Sequence, residues 1–158
     1  MKPPEFSYLK PESPQEALAA LAAEGEAARL LAGGQSLLPM LNMRLLAPAV
    51  LVDIGALAAL DTIRVAGGAV EIGAAVTQAR LAAWPGLAEA APLLGLALPF
   101  VGHFQTRNRG TVVGSIAHAD PAAELPLCLV ALGGEVELHS ARRRRRLAAE
   151  DFLTGTLT

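Results

Sequence analysis

The stretch Ala28-Arg29-Leu30-Leu31-Ala32-Gly33-Gly34-Gln35-Ser36 runs from apolar residues into a glycine-bearing loop that ends in a hydroxyl. A second such loop, Thr111-Val112-Val113-Gly114-Ser115, leads into Ile116-Ala117-His118-Ala119-Asp120-Pro121. Glycine lets the backbone come close, so that main-chain N–H groups can point at phosphate oxygens. A helix starting just after the loop adds its positive end. One loop of this kind is an ordinary turn. Two can pinch one extended anion from both sides, and a diphosphate is the usual anion of that shape. On the residues alone, a pair of plain turns in an Ala/Gly-rich chain is an equal reading, because glycine loops are weak motifs by themselves. A Rossmann site fits poorly, since no G-x-G-x-x-G stands between a strand and a helix.

Working outward, Ser13-Pro14-Gln15-Glu16 reads as a helix start with a capping box, and Gly25 as its stop. Residues 28–32 read as a short buried strand, Leu37 to Arg44 as a short helix with Pro39 in its first turn, and Val50 to Ile54 as another strand. This alternation predicts a small, mostly parallel sheet. The pattern then changes. Thr62-Ile63-Arg64-Val65 and Ala69-Val70-Glu71-Ile72 flank Gly67-Gly68, a hairpin signal. Thr77 is placed to cap a helix through Trp84, a second helix is predicted over 87–100, and residues 105–110 read as a polar loop. A helix from Pro121 to Leu132, capped by Asp120, and a strand at Glu135 to Leu138 complete the chain. The sum is two α+β lobes, 1–57 and 58–158, with one glycine loop in each.

Bulk properties exclude several classes. The 158 residues fit one ordinary domain, and 53% hydrophobic with 18% charged residues supply a core without the charge density of a disordered chain. A net charge of -2 argues against general nucleic-acid binding. No apolar run is long enough to span a membrane, and the N-terminus lacks a secretory core, so a cytoplasmic location is the default. The single cysteine, Cys128, cannot hold an iron–sulfur cluster or a thiolate zinc site. His103, His118 and His139 lack metal-ligand spacing.

Ala32-Gly33-Gly34-Gln35-Ser36-Leu37-Leu38-Pro39, followed by Arg44-Leu45, resembles the first flavin motif of the medium subunit of molybdenum hydroxylases, the family of aerobic carbon monoxide dehydrogenase and bacterial xanthine dehydrogenase-type enzymes. The block from Arg107-Asn108-Arg109-Gly110-Thr111 through Pro126 resembles the second. The resemblance implies the two-lobed α+β FAD-binding domain shared with vanillyl-alcohol-oxidase-type flavoproteins. It implies FAD as cofactor. It implies two partners: a small subunit carrying two 2Fe–2S clusters and a large molybdopterin-binding subunit. Electrons would pass from those clusters through FAD to an external acceptor. Carried over by residue, Leu31, Ala32, Gly33, Gly34, Gln35, Ser36, Leu37 and Leu38 would wrap one side of the FAD diphosphate. Thr111, Val112, Val113, Gly114 and Ser115 would wrap the other. Glu124 falls where the family places a carboxylate near the adenosine ribose, and Val101 where it places an apolar residue near the isoalloxazine.

Two departures stand out. Val113 replaces the first of two adjacent glycines usual in the second loop, so that position is either extended or the loop opens. The C-terminal flavoprotein domain of the family is absent from these residues, which leaves a second reading: a truncated, non-redox remnant serving as an assembly or interaction module. Glu124 reads equally as a solvated helix charge. Arg107 and Arg109 read as phosphate or partner ligands, or as a solvated loop. The run Arg142 to Arg146 reads as a solvated face or a docking hairpin.

Overall fold

The computed structural model describes residues 2–155. The chain opens with β1 (Ser7–Leu9), α1 (Pro14–Glu24), β2 (Ala28–Leu31), α2 (Leu37–Asn42) and β3 (Val50–Asp53). The Ser13 hydroxyl accepts the Glu16 N–H at 3.2 Å, while the Glu16 carboxylate accepts the Glu12 N–H at 2.7 Å, one residue before the usual capping-box donor. Gly25, at φ 54°, ends α1. The three strands form a parallel sheet in the order β1-β3-β2. Its central strand buries both Leu51 and Val52, as a parallel strand covered on both faces must. Ala17 of α1 joins Ala28, Val52, Ile54 and Leu57 in one hydrophobic cluster.

Beyond it come β4 (Ile63–Ala66), β5 (Ala69–Ile72), α3 (Gln78–Ala82), α4 (Leu87–Ala90), α5 (Pro92–Ala97), α6 (Phe104–Arg109), α7 (Val112–His118), α8 (Glu124–Ala131), β6 (Glu135–His139), β7 (Arg144–Ala148) and α9 (Ala149–Phe152). β4 and β5 pair antiparallel around Gly67-Gly68, whose φ values of 58° and 80° suit a tight hairpin turn. β6 and β7 form a second hairpin, in which Arg146 faces Glu137 across the strands. A second cluster gathers Val76, Leu81, Leu94, Leu98, Val112, Ile116, Leu125 and Cys128 from α3, α5, α7, α8 and the segments between them.

Three elements differ from the sequence reading. The helix expected over 87–100 is α4, α5 and a 3₁₀ turn at Leu98–Phe100. Pro92 has no N–H and disfavours a helical residue before it, so Ala91 swings to φ -150° and a new helix starts. Residues 105–110 are not a loop, because α6 occupies most of them. Tertiary support explains this. α6 packs on α3, and the Arg107 Nη1 donates to the carbonyl oxygens of Val101 and Gly102, at 2.9 Å each. The last helix before β6 starts at Glu124 and not at Pro121. Asp120 spends its Oδ1 on the Ala122 N–H at 2.9 Å, closing a turn and leaving α8 without a side-chain cap.

Leu81 is fully buried in the second cluster. Leu81→Ala is expected to lower unfolding free energy by about 2–5 kcal/mol, read from the midpoint shift in urea denaturation.

Candidate functional site

The first glycine loop leaves the sheet at the carboxyl end of β2. Leu31 stands opposite Asp53 in the last register of the β2–β3 ladder, and its carbonyl accepts the Ile54 N–H at 2.9 Å. This end of an open parallel sheet is where ligands bind as a rule. Asp53 is held there from two sides, its Oδ1 accepting the Gly55 N–H at 2.8 Å and its Oδ2 accepting the Tyr8 hydroxyl proton. That bond raises the Tyr8 phenol above its ordinary value. Gly34 takes φ 71°, a conformation an L side chain resists, and an added Cβ would stand 2.9 Å from Leu38 Cδ1. The Gly34 carbonyl accepts the Leu38 N–H at 3.1 Å, and Gln35 Nε2 donates to the Gly33 carbonyl at 3.2 Å. Among the described residues, the main-chain N–H groups of Gly33, Gly34, Gln35, Ser36 and Leu37 donate to no protein acceptor.

The second loop is built differently. Thr111 is buried and caps α7, its Oγ1 accepting the Gly114 N–H at 3.0 Å. Val112 donates to the Val76 carbonyl at 3.0 Å and Ser115 to the Thr111 carbonyl at 3.2 Å. Three of the five N–H groups are therefore committed inside the protein, and only those of Thr111 and Val113 are left among the described residues. Val113 is neither extended nor part of an opened loop: it lies in the first turn of α7 with ordinary helical φ, so the argument for glycine there disappears. Gly114 is needed for space, since a Cβ would stand 2.5 Å from the capping Thr111 Oγ1.

The two loops meet. A Cβ on Gly33 would run into the Arg109 carbonyl oxygen and lie 2.7 Å from Gly110 Cα. Gly110 is itself buried, and on another side an added Cβ would touch the Gln78 carboxamide, 3.4 Å from both Nε2 and Oε1. The Gln78 N–H donates to the Gly110 carbonyl at 2.8 Å, which with the Val112–Val76 bond ties α3 to the second loop through a Thr77–Thr111 bridge.

Other sequence candidates lie in different surroundings. Val101 is 91% buried within the second cluster, and its carbonyl is clamped by Arg107. Glu124 is half-buried at the first position of α8, without a hydrogen-bond partner among the described residues. Its charge adds to burial in pushing the Cys128 thiol above its ordinary value. Arg107 is half-buried and spends its Nη1 on the carbonyls of Val101 and Gly102. No group of three potential metal ligands clusters among the described residues, and no helix among them is long and apolar enough to cross a membrane. The residue missed by sequence reasoning is Gln78. It follows a helix cap and looks like ordinary first-turn polarity, yet it is 5% exposed, and its Oε1 is the buried side-chain polar atom left without a partner among the described residues.

A parallel sheet delivering a donor-rich glycine loop onto a second glycine loop defines a dinucleotide-binding α+β flavoprotein domain. The chain belongs to the family described as the FAD binding domain in molybdopterin dehydrogenase, whose model matches residues 4–158. It is 42% identical over 155 residues to the 6-hydroxypseudooxynicotine dehydrogenase complex subunit alpha of Paenarthrobacter nicotinovorans, covering 98% of this chain and 52% of that protein. It is 40% identical over 156 residues to the carbon monoxide dehydrogenase medium chain of Hydrogenophaga pseudoflava, covering 99% and 54%. Among solved structures, quinoline 2-oxidoreductase from Pseudomonas putida 86 superposes with a TM-score of 0.96 at 42% identity, covering 100% of this chain and 55% of that one. Carbon monoxide dehydrogenase from Hydrogenophaga pseudoflava gives the same TM-score at 40% identity, again over 100% and 55%. The chain thus spans about half the length of these relatives.

Gly33→Ala is expected to force the two loops apart and to cost about 1–3 kcal/mol in urea unfolding. Cys128, buried and with its thiol held protonated, is expected to resist iodoacetamide in the native protein at pH 8 and to react at the rate of a free thiol once denaturant is added.

Proposed function

We propose that this chain is the FAD-binding portion of an electron-transfer subunit in a molybdenum hydroxylase-type oxidoreductase. In this reading the two hydrophobic clusters are the cores of two lobes, 1–57 and 58–158, and FAD lies across the seam between their glycine loops. The observation that carries it is the close approach of Gly33 to Arg109 and Gly110. The donor set suits the ligand. The free N–H groups of Gly33 to Leu37 match an anion with several oxygens, and the missing Cβ of Gly33 lets the two backbones approach each other.

The residues divide the work unequally. Gly33 to Leu37 would supply most of the donors to the diphosphate, with Leu31, Ala32 and Leu38 framing the loop. Thr111 and Val113 would add two N–H groups from the other wall, and Ser115 a hydroxyl. Val112 and Gly114 would act by position, anchoring the wall to Val76 and to Thr111. Glu124 is the candidate for a ribose contact. Val101 would shape the flavin pocket from behind, through the loop that Arg107 holds. No side chain need act as acid or base, since the protein supplies placement and electrostatics. When bound, FAD would supply the redox chemistry between a small subunit carrying 2Fe–2S clusters and an external acceptor. A molybdopterin-binding large subunit would hold the substrate.

Purified protein titrated with FAD tests this directly. Flavin absorbance bands and a micromolar or tighter dissociation constant are expected, and Gly34→Val is expected to weaken binding at least about tenfold, or ~1.4 kcal/mol, with far-UV circular dichroism unchanged. An unaltered dissociation constant in that variant would remove the first loop from the site. The assembly-module reading is favoured by one observation: Leu96, Phe100 and Phe104 are each more than 60% exposed. It is displaced by a tight FAD complex that accepts electrons from a 2Fe–2S protein.

A further inference from the structure

The seam contains one buried polar group whose chemistry the fold leaves unused. Gln78 is 5% exposed, and its Oε1 accepts no hydrogen bond. Leaving such an acceptor sealed costs about 1–3 kcal/mol, whereas an apolar side chain of the same shape would cost nothing of the kind. The amide does not serve the local fold through hydrogen bonds, because the tie between α3 and the second loop runs through the Gln78 main chain. Its position is specific: it lies against Gly110, which is the residue that Gly33 abuts from the first loop. We propose that the Gln78 carboxamide is a ligand-binding residue that accepts a hydrogen bond from a sugar or ribityl hydroxyl flanking the diphosphate. This rests on the flavin reading above and adds to it a residue that neither glycine motif contains. A carboxamide carries an acceptor and a donor side by side, matching a hydroxyl next to a phosphate oxygen. Its terminal torsion is broad and roughly two-fold, so rotation brings either atom toward the seam.

The proposal separates stability from affinity. Gln78→Met keeps the length of the side chain and removes its hydrogen bonding. The apo variant is expected to melt at or above the wild-type temperature while binding FAD about tenfold more weakly. Unchanged FAD affinity overturns the proposal. So does a variant that melts below wild type or fails to fold, because the amide then serves the apo structure. A second measurement needs no variant: the Gln78 side-chain amide resonances of the ¹⁵N-labelled wild-type chain are expected to shift and to exchange more slowly on adding FAD, and unmoved resonances overturn the assignment. Failure of the wild-type chain to bind FAD is a different result. It sinks the flavin reading itself, and this assignment with it.

Discussion

The whole arrangement depends on a backbone-to-backbone contact between two segments 77 positions apart in the chain, at Gly33 and Gly110. Neither residue is there for its dihedral freedom. Gly110 has φ -60°, which any residue adopts. Gly33 is glycine because a methyl group there would run into Arg109 and Gly110, and Gly110 because one there would stand 3.0 Å from the Thr106 carbonyl oxygen. A contact of this kind is all-or-none, since tightly packed segments cannot yield by fractions of a side chain. It fixes where one loop stands relative to the other, and therefore where any extended anion between them must lie.

Two unlike supports hold that contact in place. On one side the parallel sheet aims its central and flanking strands at the first loop, and Asp53 locks the strand end by accepting from Gly55 and Tyr8. On the other, α7 is pinned by Thr111 and by the bond from Val112 to Val76. The result is a lopsided grip. The wall from the sheet keeps its donors free, while the wall from α7 has spent most of its own on rigidity. A symmetric pair of loops would offer more donors to a ligand and would have less to hold them still.

Much of this was legible in the sequence, where local chemistry decides the outcome. Ser13-Pro14 with Glu16, Gly67-Gly68 between alternating strands, and Thr77 before α3 each act within a few residues, and each forms the element its chemistry dictates. The errors fall where distant contacts decide. Phe104 to Arg109 has little apolar periodicity, and becomes helix because α3 and the carbonyls of residues 101–102 receive it. Val113 looks foreign beside a family glycine because a β-branched residue resists positive φ, but a helical first turn asks for none. Gln78 was invisible for a related reason. Nothing in Thr-Gln-Ala-Arg announces that the glutamine is buried, because its carboxamide packs beside Gly110, thirty-two positions later.

The β4–β5 hairpin carries a consequence of another sort. At its tip, Cβ atoms on Gly67 and Gly68 would meet nothing within 4 Å, and the strands either side belong to a separate two-stranded sheet. Added chain there would pay only the slow, logarithmic entropy of a longer loop. This tip is thus the natural port for an epitope, a fluorophore or a surface tether that leaves the interior unaware of the insertion.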